Sequence, residues 1–201
     1  MNKERSIFTE AVHGGERAPR PDYTPVSTPI HHSVGYLYDD MADLDAVFGG
    51  QQSGYVYTRY GSPTVTGFER VIAGVEGAED AVAFASGMAA VHAALLSAGA
   101  RAGTTIVSAA DVYGATYALL ERSLSTLGVK TCFVDITDVE QVRQTVGTER
   151  PAAVLCEIIS NPLVKVADVP ALVEIAHGVG AALIVDNTFA TPYLYLSLIH
   201  I

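Results

Sequence analysis

Between residues 80 and 185, short apolar runs at 80–85, 104–109, 129–134, 152–156 and 181–185 alternate with stretches of helical length at 87–97, 114–127, about 138–146 and 170–178. Runs this short and mainly apolar predict strands, and 181–185, apolar throughout, reads as a strand buried on both faces. Strands separated by helices are joined by crossovers, which make the sheet parallel and lay helices on both of its faces. An α/β fold with a mostly parallel sheet is expected. The hydrophobic content of 49% over 201 residues is ample for its core.

In such a sheet ligands bind beyond the carboxyl ends of the strands, so the residues that follow each run carry the chemistry. After the first run come Ser86, Gly87 and Met88, opening a helix whose free amides and dipole favour an anion. After the second, Asp111-Val112-Tyr113-Gly114 offers an aromatic ring, and after the fourth, Glu157 leads into Ser160-Asn161-Pro162 with a side-chain amide. The last run releases a carboxylate, Asp186, followed by Asn187 and Thr188. Each of these has a plain structural explanation as a cap or turn. Together they describe a pocket for a flat, phosphorylated, nitrogen-containing ring: an anion cradle, a ring to stack on, an amide donor, and an acid able to pair with a protonated ring nitrogen. Pyridoxal phosphate meets that description, with Asp186 making the ring an electron sink. A nicotinamide dinucleotide does not, because no GxGxxG joins a strand to a helix.

Upstream, residues 4–13 have helical character, and 14–29 carry prolines and adjacent glycines without hydrophobic period, an extended arm suited to lying across another surface such as a second subunit. Asp39 or Asp40 caps a helix that runs to Phe48 and stops at Gly49-Gly50. Tyr55, Tyr57, Arg59 and Tyr60 then crowd one loop, which serves either as aromatic packing or as an anion clamp. Ser62 and Pro63 open a helix with Val65, Phe68, Ile72 and Val75 on one face.

The balance of 12 basic against 22 acidic residues, net −10, repels phosphate backbones and anionic lipid and argues against a nucleic-acid or membrane partner. The first residues lack the apolar core of an export signal and no run approaches the roughly 18 apolar residues of a membrane span, so the expected compartment is the cytoplasm. Cys132 and Cys156 lie inside strand-like runs without CxxC spacing and are expected to be buried free thiols. His31 and His32 point apart on an extended chain and lack a further ligand at suitable spacing, so no metal site is expected.

Taken in order, Tyr57-Thr-Arg-Tyr-Gly-Ser-Pro-Thr64, Ala85-Ser-Gly-Met88, Asp111-Val-Tyr-Gly114, Ser160-Asn-Pro162 and Val185-Asp-Asn-Thr-Phe-Ala-Thr-Pro192 resemble the Cys/Met-metabolism family of pyridoxal phosphate enzymes. This is the transsulfuration family of cystathionine γ-synthase, cystathionine lyases, methionine γ-lyase and O-acylhomoserine sulfhydrylases. The resemblance implies the fold type I, aminotransferase-like large domain, present here in its N-terminal part. It divides the chain into an arm at 1–60 that contacts a neighbouring subunit, the cofactor-binding domain at 61–194, and a tail at 195–201 that does not resemble the family. It implies that Gly87 and Met88, capped by Ser86, bind the cofactor phosphate, while Tyr57 and Arg59 reach the phosphate of a neighbouring subunit's cofactor in a homodimer or homotetramer. It implies that Tyr113 stacks on the ring and assists proton transfer, that Asn161 bonds the ring oxygen, that Asp186 holds the ring nitrogen protonated, and that Thr188 and Glu157 support them. The substrate is a small amino acid.

The same resemblance exposes a gap. The family's Schiff-base lysine lies beyond the aspartate, in a Ser-x-Thr-Lys motif, whereas the lysines here are Lys3, Lys130 and Lys165. Lys165 matches a non-catalytic position and reads as a surface charge. The chain is therefore expected to be a truncated or frame-shifted product of a longer gene and, by itself, not to catalyse the family's reactions. For the intact parent, γ-replacement on an activated homoserine is favoured over elimination by a cystathionine- or methionine-type lyase. Ala115 stands where methionine γ-lyases often have cysteine. The rival from another class is an inactive fragment that binds at most cofactor or a partner.

Overall fold

The computed structural model describes residue 26 and residues 29–195; the helix expected at 4–13, most of the arm at 14–29 and the tail beyond Tyr195 lie outside the described residues. These residues fall into two compact units, divided between Thr64 and Val65.

In the first unit, α1 (Met41–Phe48) starts at Asp40, whose carboxylate accepts the Ala42 amide, and ends at Gly49. An antiparallel bridge joins Gly35 to Tyr57, flanked by the Thr58 amide donating to the Val34 carbonyl at 2.9 Å. α2 (Pro63–Glu76) begins at the proline, whose fixed φ suits a first helical turn, and from Val65 onward its residues belong to the second unit.

The second unit is built from α3 (Gly87–Ser97), β1 (Thr105–Ala109), α4 (Gly114–Ala118) with a π-helical continuation over Leu119–Leu124, β2 (Lys130–Val134), α5 (Val139–Glu149), β3 (Ala153–Glu157), α6 (Val169–His177), β4 (Ala182–Asp186) and α7 (Thr191–Leu194). The four strands are all parallel, in the order β2-β1-β3-β4. From β1 the chain goes outward to β2, then crosses back to β3 and on to β4. The direction reverses between β1 and β3, and at that switch point the connections leave a crevice at the carboxyl edge.

Side chains alternate across the sheet into two cores. Val154 and Cys156 of β3, with Val107 of β1, meet Val142 and Val146 of α5 and Leu172 and Ile175 of α6. Ala153, Leu155 and Ile106 face the other way, against Leu95 of α3 and Leu120 and Leu124 of the π-helical turn. Helices thus cover both faces of the sheet, one core on each.

Two expectations are corrected. Residues 80–85 form no strand: the Ala83 amide donates to the Glu69 carboxylate at 2.8 Å instead of to a ladder, and Val82 and Phe84 stay 71% and 47% exposed. The run has the right residues but, among the described residues, no strand edge alongside it. Of the two thiols only Cys156 is fully buried; Cys132 sits on the edge strand β2, partly exposed. Burial pushes the Cys156 thiol up to about 12, which leaves it protonated and inert.

Candidate active site

A cavity of about 430 Å³ opens at the carboxyl edge of the sheet, within the roughly 300–1,000 Å³ usual for small-molecule sites. Ser86, Gly87, Met88, Tyr113, Asn161, Asp186 and Thr188 all line it. Tyr57 and Arg59 are not among its lining residues. They belong to the first unit, where the exposed Arg59 guanidinium lies 5.4 Å from the centre of the Tyr57 ring and 5.5 Å from that of Tyr60.

The anion end is the start of α3. Ser86 accepts the Ala89 amide on its hydroxyl at 3.2 Å, and the first helical bond runs from Ala90 to the Ser86 carbonyl. The amides of Gly87 and Met88 precede any intrahelical acceptor and stay available at the positive end of the helix dipole. Thr116 of α4 steadies Met88 through a hydroxyl-to-sulfur contact of 3.6 Å.

The acid end is where β4 finishes. Thr188 donates both its amide, at 3.0 Å, and its hydroxyl to Asp186 Oδ1. Two donors on one oxygen fix the carboxylate's orientation, and no described residue bonds Oδ2, which is left to face a ligand.

Glu157 ties the remaining pieces together. It ends β3 beside Asp186 in register, is 7% exposed, and spans the switch point: Oε1 accepts the Tyr113 amide at 2.5 Å and Oε2 accepts the Asn161 amide at 2.9 Å. Burial pushes its carboxyl above the ordinary glutamate value, against the lowering pull of the two amides and with a further push from Asp186 and Asp111. Sequence had offered it a supporting part; the geometry makes it the anchor of both ring-facing loops. Ile159, Val91 and Phe189 supply the apolar walls. Sequence reasoning missed these three, although Val91 follows Gly87 by one helical turn and Phe189 adjoins Thr188.

Lys165, expected as a surface charge, is partly exposed and engaged by two carboxylates. Its ammonium donates to Asp135 Oδ2 at 3.2 Å and lies 3.6 Å from Asp111 Oδ2. The Asp135 bond, above all, raises its pKa, and Asp135 is in turn held below the usual carboxylate value, first by the Thr137 hydroxyl. Lys130 pairs with Glu149 at 2.7 Å. No lysine lines the cavity among the described residues.

The donor set suits pyridoxal phosphate: two free amides and a hydroxyl for an anion, an oriented carboxylate for a ring N–H, and flat and apolar walls for the ring. The comparisons agree. A parallel α/β half-domain with this rim defines a pyridoxal phosphate-dependent enzyme of the aminotransferase-like type, and the family model described as Cys/Met metabolism PLP-dependent enzyme matches residues 8–200. The chain belongs to that family. It is 36% identical over 192 residues to an O-acetyl-L-homoserine sulfhydrylase of Leptospira meyeri, an alignment taking in 96% of this chain and 43% of that one. It is 35% identical over 193 residues to an L-methionine gamma-lyase of Fusobacterium nucleatum subsp. nucleatum, covering 96% and 48%. A Campylobacter jejuni structure assigned as an O-acetylhomoserine (thiol)-lyase, which holds N'-pyridoxyl-lysine-5'-monophosphate, superposes with a TM-score of 0.79 at 30% identity, over 88% of this chain and 43% of that one. The chain spans about half the length of the curated relatives it matches. No helix among the described residues is long and apolar enough to cross a membrane.

Proposed function

We propose that this chain forms the pyridoxal phosphate site of an enzyme of sulfur amino acid metabolism, and that the whole protein replaces the γ-substituent of an activated homoserine, in the manner of a cystathionine γ-synthase or O-acylhomoserine sulfhydrylase. The observation that carries the reading is that a helix start suited to an anion and an oriented carboxylate both line one cavity. When bound, the pyridine ring supplies an electron sink for the charge left when an amino acid loses its α-proton. Gly87, Met88 and Ser86 hold the phosphate, Asp186 keeps the ring nitrogen protonated, and Thr188 orients Asp186. Tyr113 stacks on the ring and moves a proton at the substrate, and Asn161 bonds the ring oxygen. Tyr57 and Arg59, exposed and not among the residues that line this cavity, serve a neighbouring subunit's phosphate in a homodimer or homotetramer.

Elimination by a methionine- or cystathionine-type lyase is the second reading, favoured by the resemblance to the methionine gamma-lyase and disfavoured by Ala115 after Tyr113-Gly114. The cavity also lacks a lysine among its lining residues, so we infer that the 201 residues alone bind the cofactor without turning substrate over.

Titration with pyridoxal phosphate tests the site. Saturable binding is expected, weakened about 10- to 100-fold in Asp186→Ala, since a charge-assisted bond of about 1.5–3 kcal/mol is lost. Equal binding by both would remove the pocket from the argument. For the whole protein, O-acylhomoserines turned over faster than cystathionine or methionine support replacement; the reverse order supports elimination.

A further inference from the structure

We propose that Lys165 is a positioning residue of the cofactor site: by bridging Asp111 and Asp135 it holds the Asn161 loop in register with the turn that carries Tyr113. The proposal rests on the cofactor reading above and assigns Lys165 a part in it.

The loop from Ile158 to Val166 folds back on itself. Ile159 and Val166 form an antiparallel bridge, the Ser160 amide donates to the Lys165 carbonyl at 2.9 Å, and the Lys165 amide donates to the Ser160 hydroxyl at 3.1 Å. Asn161 sits at the near end of this loop, held by its own amide on Glu157 Oε2. The base of the loop is held by the Ile158 amide on the Asp186 carbonyl at 3.2 Å and the Ala167 amide on the Ile158 carbonyl at 3.0 Å. Lys165, paired with Ser160 beside Asn161, adds the side-chain attachment to the segments that follow β1 and β2. Its ammonium reaches Asp111, two residues before Tyr113 and just past β1, and Asp135, directly after β2. The carboxyl ends of three strands are thereby joined through one cation.

Asp111 shows that the bridge is more than a rim contact. Its side chain is 8% exposed and neither oxygen has a hydrogen-bond partner among the described residues, so the Lys165 ammonium at 3.6 Å is the charge that balances it. A buried carboxylate stripped of its partner moves toward water, and the turn that carries Tyr113 moves with it. Asp135 is about half exposed and held by Thr137, so it steers the lysine without depending on it.

The test is a pyridoxal phosphate titration of the wild-type chain, Lys165→Met, Lys165→Arg, Asn161→Ala and the Asn161→Ala/Lys165→Met pair, with thermal unfolding measured alongside. Lys165→Met should weaken binding about tenfold and Lys165→Arg recover most of it, because a guanidinium can span the same two carboxylates. The losses from Asn161→Ala and Lys165→Met should fall short of additive, since both act on one loop. If Lys165→Met does not fold, Asp111→Asn/Lys165→Met, which leaves no stranded charge, takes its place with the same expectation. A merely structural lysine would lower the melting temperature and leave affinity untouched. Unchanged affinity in Lys165→Met, or full additivity with Asn161→Ala, overturns the positioning role while Asp186-dependent binding by the wild type keeps the cofactor reading. Wild-type binding that is absent, or indifferent to Asp186→Ala, overturns both.

Discussion

β3 and residues 80–85 carry the same signal in sequence, a short apolar run that ends on a residue of the site's rim, and they end in opposite states. β3 lies between β1 and β4, pairs with both, and is buried from Ala153 to Glu157. Residues 80–85 reach Ser86 and the start of α3 without a ladder, with their largest side chains in solvent. Composition does not separate them, since each carries alanine, one valine and one larger apolar residue, Leu155 or Phe84. A strand is a relation between two segments, and the apolar run states only one side of it. The acid end of the site is therefore delivered by a fixed sheet, and the anion end by a helix whose preceding segment has no such support.

The contrast is sharpest at Leu155, which points from β3 into the core between α3 and the π-helical turn and is almost fully buried. Leu155→Ala should cost about 2–5 kcal/mol, from lost burial and the cavity left behind. Urea unfolding measures it. A loss within experimental error of zero would mean that β3 is no better supported than residues 80–85, and the comparison would collapse.

Glu157 comes next, because it converts the rigidity of β3 into placement of Tyr113 and Asn161. A glutamine keeps one acceptor and turns an NH₂ group toward the other buried amide, so Glu157→Gln should destabilise by about 1–3 kcal/mol. The pH dependence follows from the raised carboxyl. A folded pKa above the unfolded one contributes stability that is fully present below the ordinary glutamate value of about 4.3 and is lost as pH rises through the folded value. The gap between wild type and Glu157→Gln should therefore be widest at acid pH and narrow toward neutrality. A gap that widens with pH would show that the two amides outweigh burial and the neighbouring carboxylates Asp186 and Asp111.

The sequence was most legible where local and tertiary preferences agree. Gly87–Ser97 forms the helix expected at 87–97, because a serine cap and an unbroken run of good helix formers leave little choice. The strands at β1 to β4 came within a residue of their expected ends, since short mainly apolar runs between turns have little room to slip. Glu157 and Asp186 were legible for the same reason, each closing an apolar run that does form a strand, whereas Ser86 follows a run that does not. What escaped depends on partners distant in sequence. Lys165 looks like surface until Asp111 and Asp135 are brought to it by three separate strands. The π-helical turn at Leu119–Leu124 also escaped, because Leu120 and Leu124 keep the i, i+4 spacing of a plain helix and both face one core. Tyr57 and Arg59 stack on each other within the first unit, and no pattern in that loop says which surface it meets.

The smallest effect belongs to residues 80–85 themselves. Val82 is mostly exposed and outside any ladder, so Val82→Ala should change stability by no more than about 0.5 kcal/mol in the chain as it stands. The same substitution should leave pyridoxal phosphate affinity unchanged, because the amides of Gly87 and Met88 are oriented by α3 and its Ser86 cap, with Thr116 steadying Met88. Hydrogen exchange sharpens the point: the amides of Val82 and Phe84 should exchange rapidly, those of Ala81 on Asp80 and Ala83 on Glu69 more slowly, while those of β3 persist to the global limit. Slow exchange across 81–84 together with a loss of more than 1 kcal/mol in Val82→Ala would mean that the run has found an edge in solution. The two ends of the cavity would then rest on equal supports.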